Sequence, residues 1–232
     1  EIGSGLVGSE MCIRDSPYTQ NSFRGSFDNA YWAMENNKFT EDTNRFFGNV
    51  YASYQTDFGT TNHKLNAKYM VGVDAYTTHY VDSYGYGSNT GGGRGQIENY
   101  GWTNATYNSL LTINYDWHIN EDWGLNAVVG NEIIQSNRKK YYEYGTNYNF
   151  PGWNHINNAT TQQTEEETWK NRTVGFFGNV SASYRNMLYL TLTGRQDYVS
   201  NMPRKNRSFF YPSISAGFIL TELDALKNNV VN

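Results

Sequence analysis

Between Thr173 and Leu220, apolar and polar residues alternate almost without interruption. Val174, Phe176, Gly178, Val180, Ala182 and Tyr184 take one set of alternate positions, and Gly175, Asn179, Ser181 and Ser183 take the other. Past the polar pair Arg185-Asn186, Leu188, Leu190 and Leu192 alternate with Tyr189, Thr191, Thr193, Arg195 and Asp197. Beyond the polar stretch Asn201 to Arg207, a third run sets Phe210, Ile214, Ala216, Phe218 and Leu220 against Ser213, Ser215 and Gly217. Successive side chains of a strand point to opposite faces, so each run predicts a β-strand with one apolar and one polar face.

Four more strands are predicted upstream. Phe46, Val50, Ala52 and Tyr54 share a face between Arg45 and Thr56. Leu65, Ala67, Tyr69, Val71, Val73 and Ala75 alternate with Lys64, Asn66, Lys68, Gly72 and Asp74, and the pattern weakens toward Val81. Tyr107, Leu111, Ile113, Tyr115 and Trp117 mark a third strand, and Trp123, Leu125, Ala127, Val129 and Ile133 a fourth. Pro17 to Asp42 has no clean period and is expected to be loop. Tyr84 to Gly101, rich in glycine, is expected to be a flexible loop, and Arg138 to Asn171 the largest loop of all. The nonapeptide FFGNVYASY at Phe46 returns as FFGNVSASY at Phe176. Two copies so far apart read as two strands of like orientation under the same demands, not as a tandem repeat.

The connections then alternate: 55–62 short, 84–101 long, 119–122 short, 138–171 long, 185–186 short, 200–208 longer. Short turns on one side and long loops on the other are the layout of an outer-membrane barrel, with the long loops extracellular. Tyr54, Trp117, Trp123 and Tyr184 fall beside the short turns, where an interfacial aromatic girdle belongs. A mean hydropathy of −0.72 is too polar for membrane helices, and no run reaches the roughly 18 apolar residues such a helix needs. A barrel removes the conflict, since only alternate residues face lipid. The expected fold class is all-β, an antiparallel transmembrane β-barrel segment of about seven strands.

Composition narrows the chemistry. Glu1 to Ser16, EIGSGLVGSEMCIRDS, resembles the translation of a transposon-based sequencing adapter and is excluded from fold reasoning as an expected artefact. On that expectation the native segment starts near Pro17, and the lack of a signal peptide carries no information. Cys12 is the only cysteine of the chain, so no disulfide or thiolate metal site is expected in the rest. Without that stretch the chain holds 17 basic and 19 acidic residues. A near-neutral balance argues against a nucleic-acid partner, which needs a basic stripe.

The last block, from Gly175 to Asn229, carries a specific likeness. A strand ending in Ser183-Tyr184 leads into a turn. Arg195-x-Asp197 precedes a loop with Ser200, and Phe210-Tyr211-Pro212-Ser213-Ile214-Ser215 opens the next strand before a short acidic turn at Glu222. The run resembles the barrel of SusC/RagA-type TonB-dependent outer-membrane transporters of the Bacteroidota, and the likeness extends over about Arg45 to Asn232. The resemblance implies a larger, 22-stranded barrel with a plug inside, of which residues 45–232 would be an internal piece and 17–44 an extracellular loop region. It implies uptake of oligosaccharides or peptides across the cell outer membrane. The implied partners are a SusD-like surface lipoprotein at the mouth, the TonB-ExbB-ExbD complex acting through parts beyond this chain, and outer-membrane lipid. A seven-strand sheet in hydrocarbon leaves two unpaired edges, so the piece alone is expected to aggregate or stay unfolded.

On this reading ligand contacts belong to the loops. Tyr84, Tyr86, Tyr100 and Trp102 flank one loop; Tyr148, Phe150, Trp153 and Trp169 lie in or beside the largest. Their flat faces among Asn and Asp suit stacking and hydrogen bonding to sugars, or packing against the lipoprotein. Arg195 and Asp197, two apart, point the same way into the lumen, where such a pair ties strands together or meets substrate or plug. Lys64, Lys68 and Asp74 share one face and are expected to make similar wall contacts. Asp74, His79 and Asp82 match no metal-ligand spacing, and Gly85 to Gly95 lacks the Gly-Lys-Ser/Thr ending of a phosphate loop. Glu165-Glu166-Glu167 reads as a solvated charge run. No cofactor motif and no nucleophile-base arrangement is legible, so a transporter is expected and not an enzyme. The competing readings are an all-β carbohydrate-binding module, whose apolar faces would be buried against a second sheet, and another outer-membrane barrel such as a porin or adhesin.

Overall fold

A computed structural model describes residues 19–20 and 27–222; the adapter-like stretch and the residues after Glu222 lie outside them. A short helix α1 (Ala30–Asn36) precedes seven strands: β1 (Lys38–Thr56), β2 (His63–Tyr84), β3 (Gln96–His118), β4 (Trp123–Tyr148), β5 (Ala159–Tyr184), β6 (Leu188–Val199) and β7 (Ser208–Phe218). All seven lie in one sheet in chain order. Hydrogen-bonded neighbours joined by connections this short can only be antiparallel, because a parallel crossover needs a dozen residues or more.

The register bears out the alternation read from the sequence. Val180 pairs with Leu192 and Ala182 with Leu190 across β5 and β6, while Asn179 faces Thr193 and Ser181 faces Thr191. From β6 to β7, Leu192 pairs with Ile214 and Leu188 with Phe218, whereas Thr193 faces Ser213. Apolar residues thus meet apolar residues and polar meet polar, and Ser181 Oγ lies 2.8 Å from Thr191 Oγ1. The apolar face is uncovered: Val180, Leu192 and Phe218 are about half exposed and Ile214 is 70 % exposed. A sandwich module would bury these side chains, so the single sheet speaks against that reading.

The turn between β5 and β6 spans Arg185, Asn186 and Met187, one residue more than the expected pair, and Met187 N donates to Tyr184 O at 2.9 Å. Arg185 and Asn186 both have positive φ, 50° and 54°, the backbone of the hairpin turn that matches strand twist. The Arg185 guanidinium reaches Asp122 in the neighbouring turn, Nε to Oδ1 at 2.9 Å.

Three expectations are corrected. The longest predicted loop is mostly strand: β4 runs on to Tyr148 and β5 begins at Ala159. Glu165-Glu166-Glu167 therefore stands within β5, with Glu166 paired to Lys139 of β4 at 3.0 Å. Strand β1 begins at Lys38 and β3 at Gln96, both well before their apolar periods. Backbone pairing holds these segments; none carries an unbroken apolar alternation, so periodicity cannot find them. Finally, the glycine-rich connection after β2 is tied by its backbone and by the chain before β1. Gly87 N donates to Gly93 O and Gly93 N to Ser88 O. Asp28 accepts from Ser88 Oγ at 2.6 Å and from Asn89 N at 2.7 Å. At Gly95 (φ 74°) a Cβ would lie 2.8 Å from the Tyr84 carbonyl oxygen, which only glycine avoids.

Contacts divide the chain into two compact units. Among the described residues, one gathers those up to Arg45, Tyr76–Asn104 and Arg138–Trp169; the other gathers Phe46–Ala75, Ala105–Asn137 and those from Lys170 to Glu222. The second carries the apolar alternation of the sequence. The first has a small core of its own, Ile97, Tyr148 and Ala159, with Val81 and Ile156 against it.

Candidate functional site

In the first unit the strands set an array of rings side by side. Tyr80 of β2 stacks on Tyr100 of β3, with centroids 4.8 Å apart and planes 7° from parallel. Trp102, two residues along β3, tilts against Tyr80 at 5.6 Å and against Tyr100 at 6.3 Å. Tyr142 of β4 lies 6.5 Å from Tyr100. Arg138 of β4 then places its guanidinium over two indoles, 5.6 Å from Trp102 and 5.8 Å from Trp169 of β5. The i, i+2 spacings Tyr100/Trp102 and Tyr80/Asp82 are those of side chains sharing a strand face.

Each phenol at this array donates to a carboxylate: Tyr80 to Glu41 at 3.0 Å, Tyr100 to Asp82 at 3.2 Å and Tyr142 to Glu98 at 3.2 Å. The Glu41 hydrogen bond raises the Tyr80 phenol above its ordinary range. Partial burial, then the charge of Asp82, raises Tyr100. Both therefore stay protonated, and donating, through neutral pH. The array offers flat apolar faces edged by strong acceptors and one aromatic-held donor fork.

Of the eight aromatics singled out from the sequence, the structure brings Tyr100, Trp102 and Trp169 together. All three stand in strands, not loops. Tyr84 ends β2 edge-on to Phe39 at 5.3 Å. Tyr148 is fully buried in the small core, and burial pushes its phenol up; its surface is not open to a ligand. Tyr86, Phe150 and Trp153 are the ones that lie in connections. Phe150 stacks on Trp153 at 5.8 Å, and Trp153 on His155 at 5.0 Å. Sequence reasoning missed Tyr80, where the apolar pattern of β2 weakens, Glu41 and Glu98, because β1 and β3 were begun too late, and Arg138 and Tyr142, because β4 was ended too early. The signal was there in the i, i+2 spacing of Tyr80/Asp82 and Glu98/Tyr100/Trp102.

The second unit holds the pair Arg195 and Asp197. Arg195 Nε donates to both Asp197 oxygens, at 2.9 and 3.1 Å, and Nη2 donates to Glu132 of β4 at 2.7 Å. The guanidinium lies over the Phe177 ring, 5.8 Å from its centroid. That ring fills the space over Gly130, where a Cβ would meet it and would lie 2.8 Å from the Leu111 carbonyl oxygen. Arg195 thus bonds β6 to β4 across β5, through Glu132. Lys68 sits over the Tyr51 ring at 4.5 Å. Asp74, His79 and Asp82 are used otherwise: His79 Nδ1 bonds Tyr141, Asp82 takes Tyr100, and among the described residues no three acidic, His or Cys side chains converge on a metal-sized point.

No protein-family model matches the chain. Two characterised proteins are similar in sequence. The TonB-dependent receptor SusC of Bacteroides thetaiotaomicron is 26% identical over 221 residues, 92% of this chain. The TonB-dependent receptor P26 of Formosa agariphila is 28% identical over 137 residues, 55% of it. Among solved structures the RagAB peptide transporter superposes on 88% of the chain, with a TM-score of 0.73 at 17% identity. The chain spans 20% of the length of SusC, 13% of P26 and 23% of the RagAB chain. In sequence it resembles the SusC-type TonB-dependent receptors, and it shares with the RagAB transporter the fold of an antiparallel seven-strand β-barrel segment.

Proposed function

We propose that this chain forms part of the wall of an outer-membrane TonB-dependent transporter that imports oligosaccharides or peptides, and that it acts as a transporter and not an enzyme. The observation that carries the reading is the uncovered apolar face of β5, β6 and β7, back to back with a polar, hydrogen-bonded face. Lipid is the medium that stabilises such an exposed stripe, and lumen water suits the opposite face. Nine to eleven residues of strand cross a bilayer, so β2 to β5, at 22 to 26 residues, are long enough to reach well beyond it. On this reading the stretches that carry the apolar alternation cross the bilayer, and the longer connections face the extracellular side. A SusD-like surface lipoprotein would cover that side, and the TonB-ExbB-ExbD complex would supply energy through parts outside this chain. The similarity to SusC and P26 supports this assignment.

The test uses the intact gene product in its own organism. Fractionation is expected to place it in the outer membrane as a heat-modifiable species. Deleting the gene is expected to abolish growth on one glycan or peptide source while sparing growth on monosaccharides and amino acids. A soluble product, or a deletion strain that grows normally on every polymer offered, would refute the proposal.

A further inference from the structure

We propose that the outer end of the apolar face of β5 to β7 holds a phosphorylated lipid of the outer leaflet, with Arg172 and Arg207 on its phosphate and its acyl chains on the apolar side chains below. The site faces away from the lumen, and it rests on the outer-membrane reading above.

The register traces this face outward. Phe176, Gln196 and Phe210 stand side by side across the three strands, and Val174, Tyr198 and Ser208 form the next rung. Positions two apart share a face, so both rungs continue the apolar series of Val180, Leu192 and Ile214. Arg172 and Ser200 come one step beyond, where Arg172 N donates to Ser200 Oγ at 2.7 Å and Ser200 N to Arg172 O at 2.8 Å. Arg207 directly precedes β7, and its carbonyl accepts from Val199 N at 2.9 Å. Together with Val174 and Tyr198, these residues line an open groove of about 350 Å³.

Charge changes abruptly at that groove. From Val174, Tyr198 and Ser208 down to Tyr184, Leu188 and Phe218, the face carries no charged residue. The stretches 168–174 and 198–208 then hold five basic residues, Lys170, Arg172, Arg204, Lys205 and Arg207, and no acidic one. Arg172 is steadied by a neutral partner on β4: its Nε donates to Gln135 Oε1 at 2.9 Å, and Nη2 donates to the same oxygen. Lys139, Arg185 and Arg195 each have a carboxylate. Among the described residues neither Arg172 nor Arg207 does.

Cations without a carboxylate, set at the rim of an uncharged apolar face, are complementary to an amphiphile with an anionic head above an apolar chain. A phosphate suits two guanidiniums, since it has several oxygens to share and Arg meets it through paired N–H donors. A soluble anion would use the charges and leave the apolar walls idle; a neutral lipid would do the reverse.

The experiment uses the intact protein, purified from the outer membrane in a neutral detergent and stripped of lipid, with bound lipid counted by native mass spectrometry. The probes are phosphatidic acid, whose head is a bare phosphate monoester, phosphatidylcholine and inorganic phosphate. Wild type is expected to hold phosphatidic acid about tenfold more tightly than phosphatidylcholine. Arg172→Gln and Arg207→Gln should each weaken that binding about fivefold, and the double variant further than either. Arg172→Lys, which keeps the charge and loses the fork, should fall between. Arg185→Gln, the same change of charge at the opposite end of β5, should leave it unchanged.

Phosphatidic acid held no better than phosphatidylcholine would overturn the proposal, as would binding unmoved by the double variant in protein that is still heat-modifiable. A loss of the same size in Arg185→Gln would reduce the effect to net charge. Displacement of phosphatidic acid by an equal concentration of inorganic phosphate would make the site one for a soluble anion; either result contradicts the proposal. All of these leave the transporter reading standing, whereas a wild type absent from the outer membrane would refute that reading and the site with it.

Discussion

The two halves of β5 adopt the same extended backbone from very different sequences. Thr160 to Asn171 reads TTQQTEEETWKN, and every side chain in it is exposed. Thr173 to Tyr184 reads TVGFFGNVSASY, with apolar side chains at alternate positions paired to those of β6. The lesson is that alternation reports the medium on either side of a strand, not the strand itself. An apolar stripe is required only where one face meets something apolar. Where both faces are wet, threonine and aromatic β-propensity together with ladder hydrogen bonds suffice.

A charge placed in each half is the strongest way to break this comparison. Val180→Arg, on the apolar face, is expected to cost about 2–4 kcal/mol if that face lies near the bilayer midplane, and to remove most of the folded, heat-modifiable protein from the membrane. Thr164→Arg, in the polar half of the same strand, should stay within about 0.5 kcal/mol of wild type. Equal effects of the two would show that the halves do not differ in surroundings.

The next largest effect belongs to the polar face. Gly130→Ala forces its methyl group against the Phe177 ring and the Leu111 carbonyl, and overpacking of this kind costs about 1–3 kcal/mol. Urea unfolding of the full protein in lipid vesicles would measure it; a neutral result would mean that Phe177 moves aside freely. Smaller still is the ion pair across β5. Arg195 and Glu132 are about a third exposed, so solvent screening limits their coupling to about 0.5–1 kcal/mol in a double-mutant cycle. A coupling near zero would reduce the pair to a crystal-like surface contact. Least of all, Lys139→Ala removes an ion pair that is more than half exposed on both sides. The change should be at most a few tenths of a kcal/mol, in contrast to Val180→Arg.

The parts legible in the sequence were those under the strongest constraint. The apolar runs placed β6, β7 and the C-terminal half of β5 to within a few residues, and the turn at Arg185-Asn186 followed from the gap between two runs. The Arg195–Asp197 pair was legible because spacing by two puts residues on one face. What stayed hidden had no apolar partner to declare it. The outer stretches of β3, β4 and β5 hold Glu98, Tyr100, Arg138, Tyr142 and Trp169 without an unbroken apolar alternation, and their aromatics resemble loop residues. Tyr148 was misplaced for a different reason. Its burial depends on Gly95 leaving room and on Ile97 and Ala159 arriving from other strands, which no local pattern announces. Glu132 stayed hidden because its bond to Arg195 spans an intervening strand and so has no short-range signature.

The most direct test of the central reading is a cysteine scan from Val174 to Tyr184 in the intact protein within outer-membrane vesicles, each site carrying a nitroxide label. The account predicts accessibility with a period of two. Labels at 174, 176, 180 and 182 should be reached by oxygen dissolved in the lipid, and labels at 175, 179, 181 and 183 by a water-soluble nickel chelate. Accessibility without that period, or water reaching both sets equally, would contradict the claim that one face of this sheet meets lipid and the other a lumen.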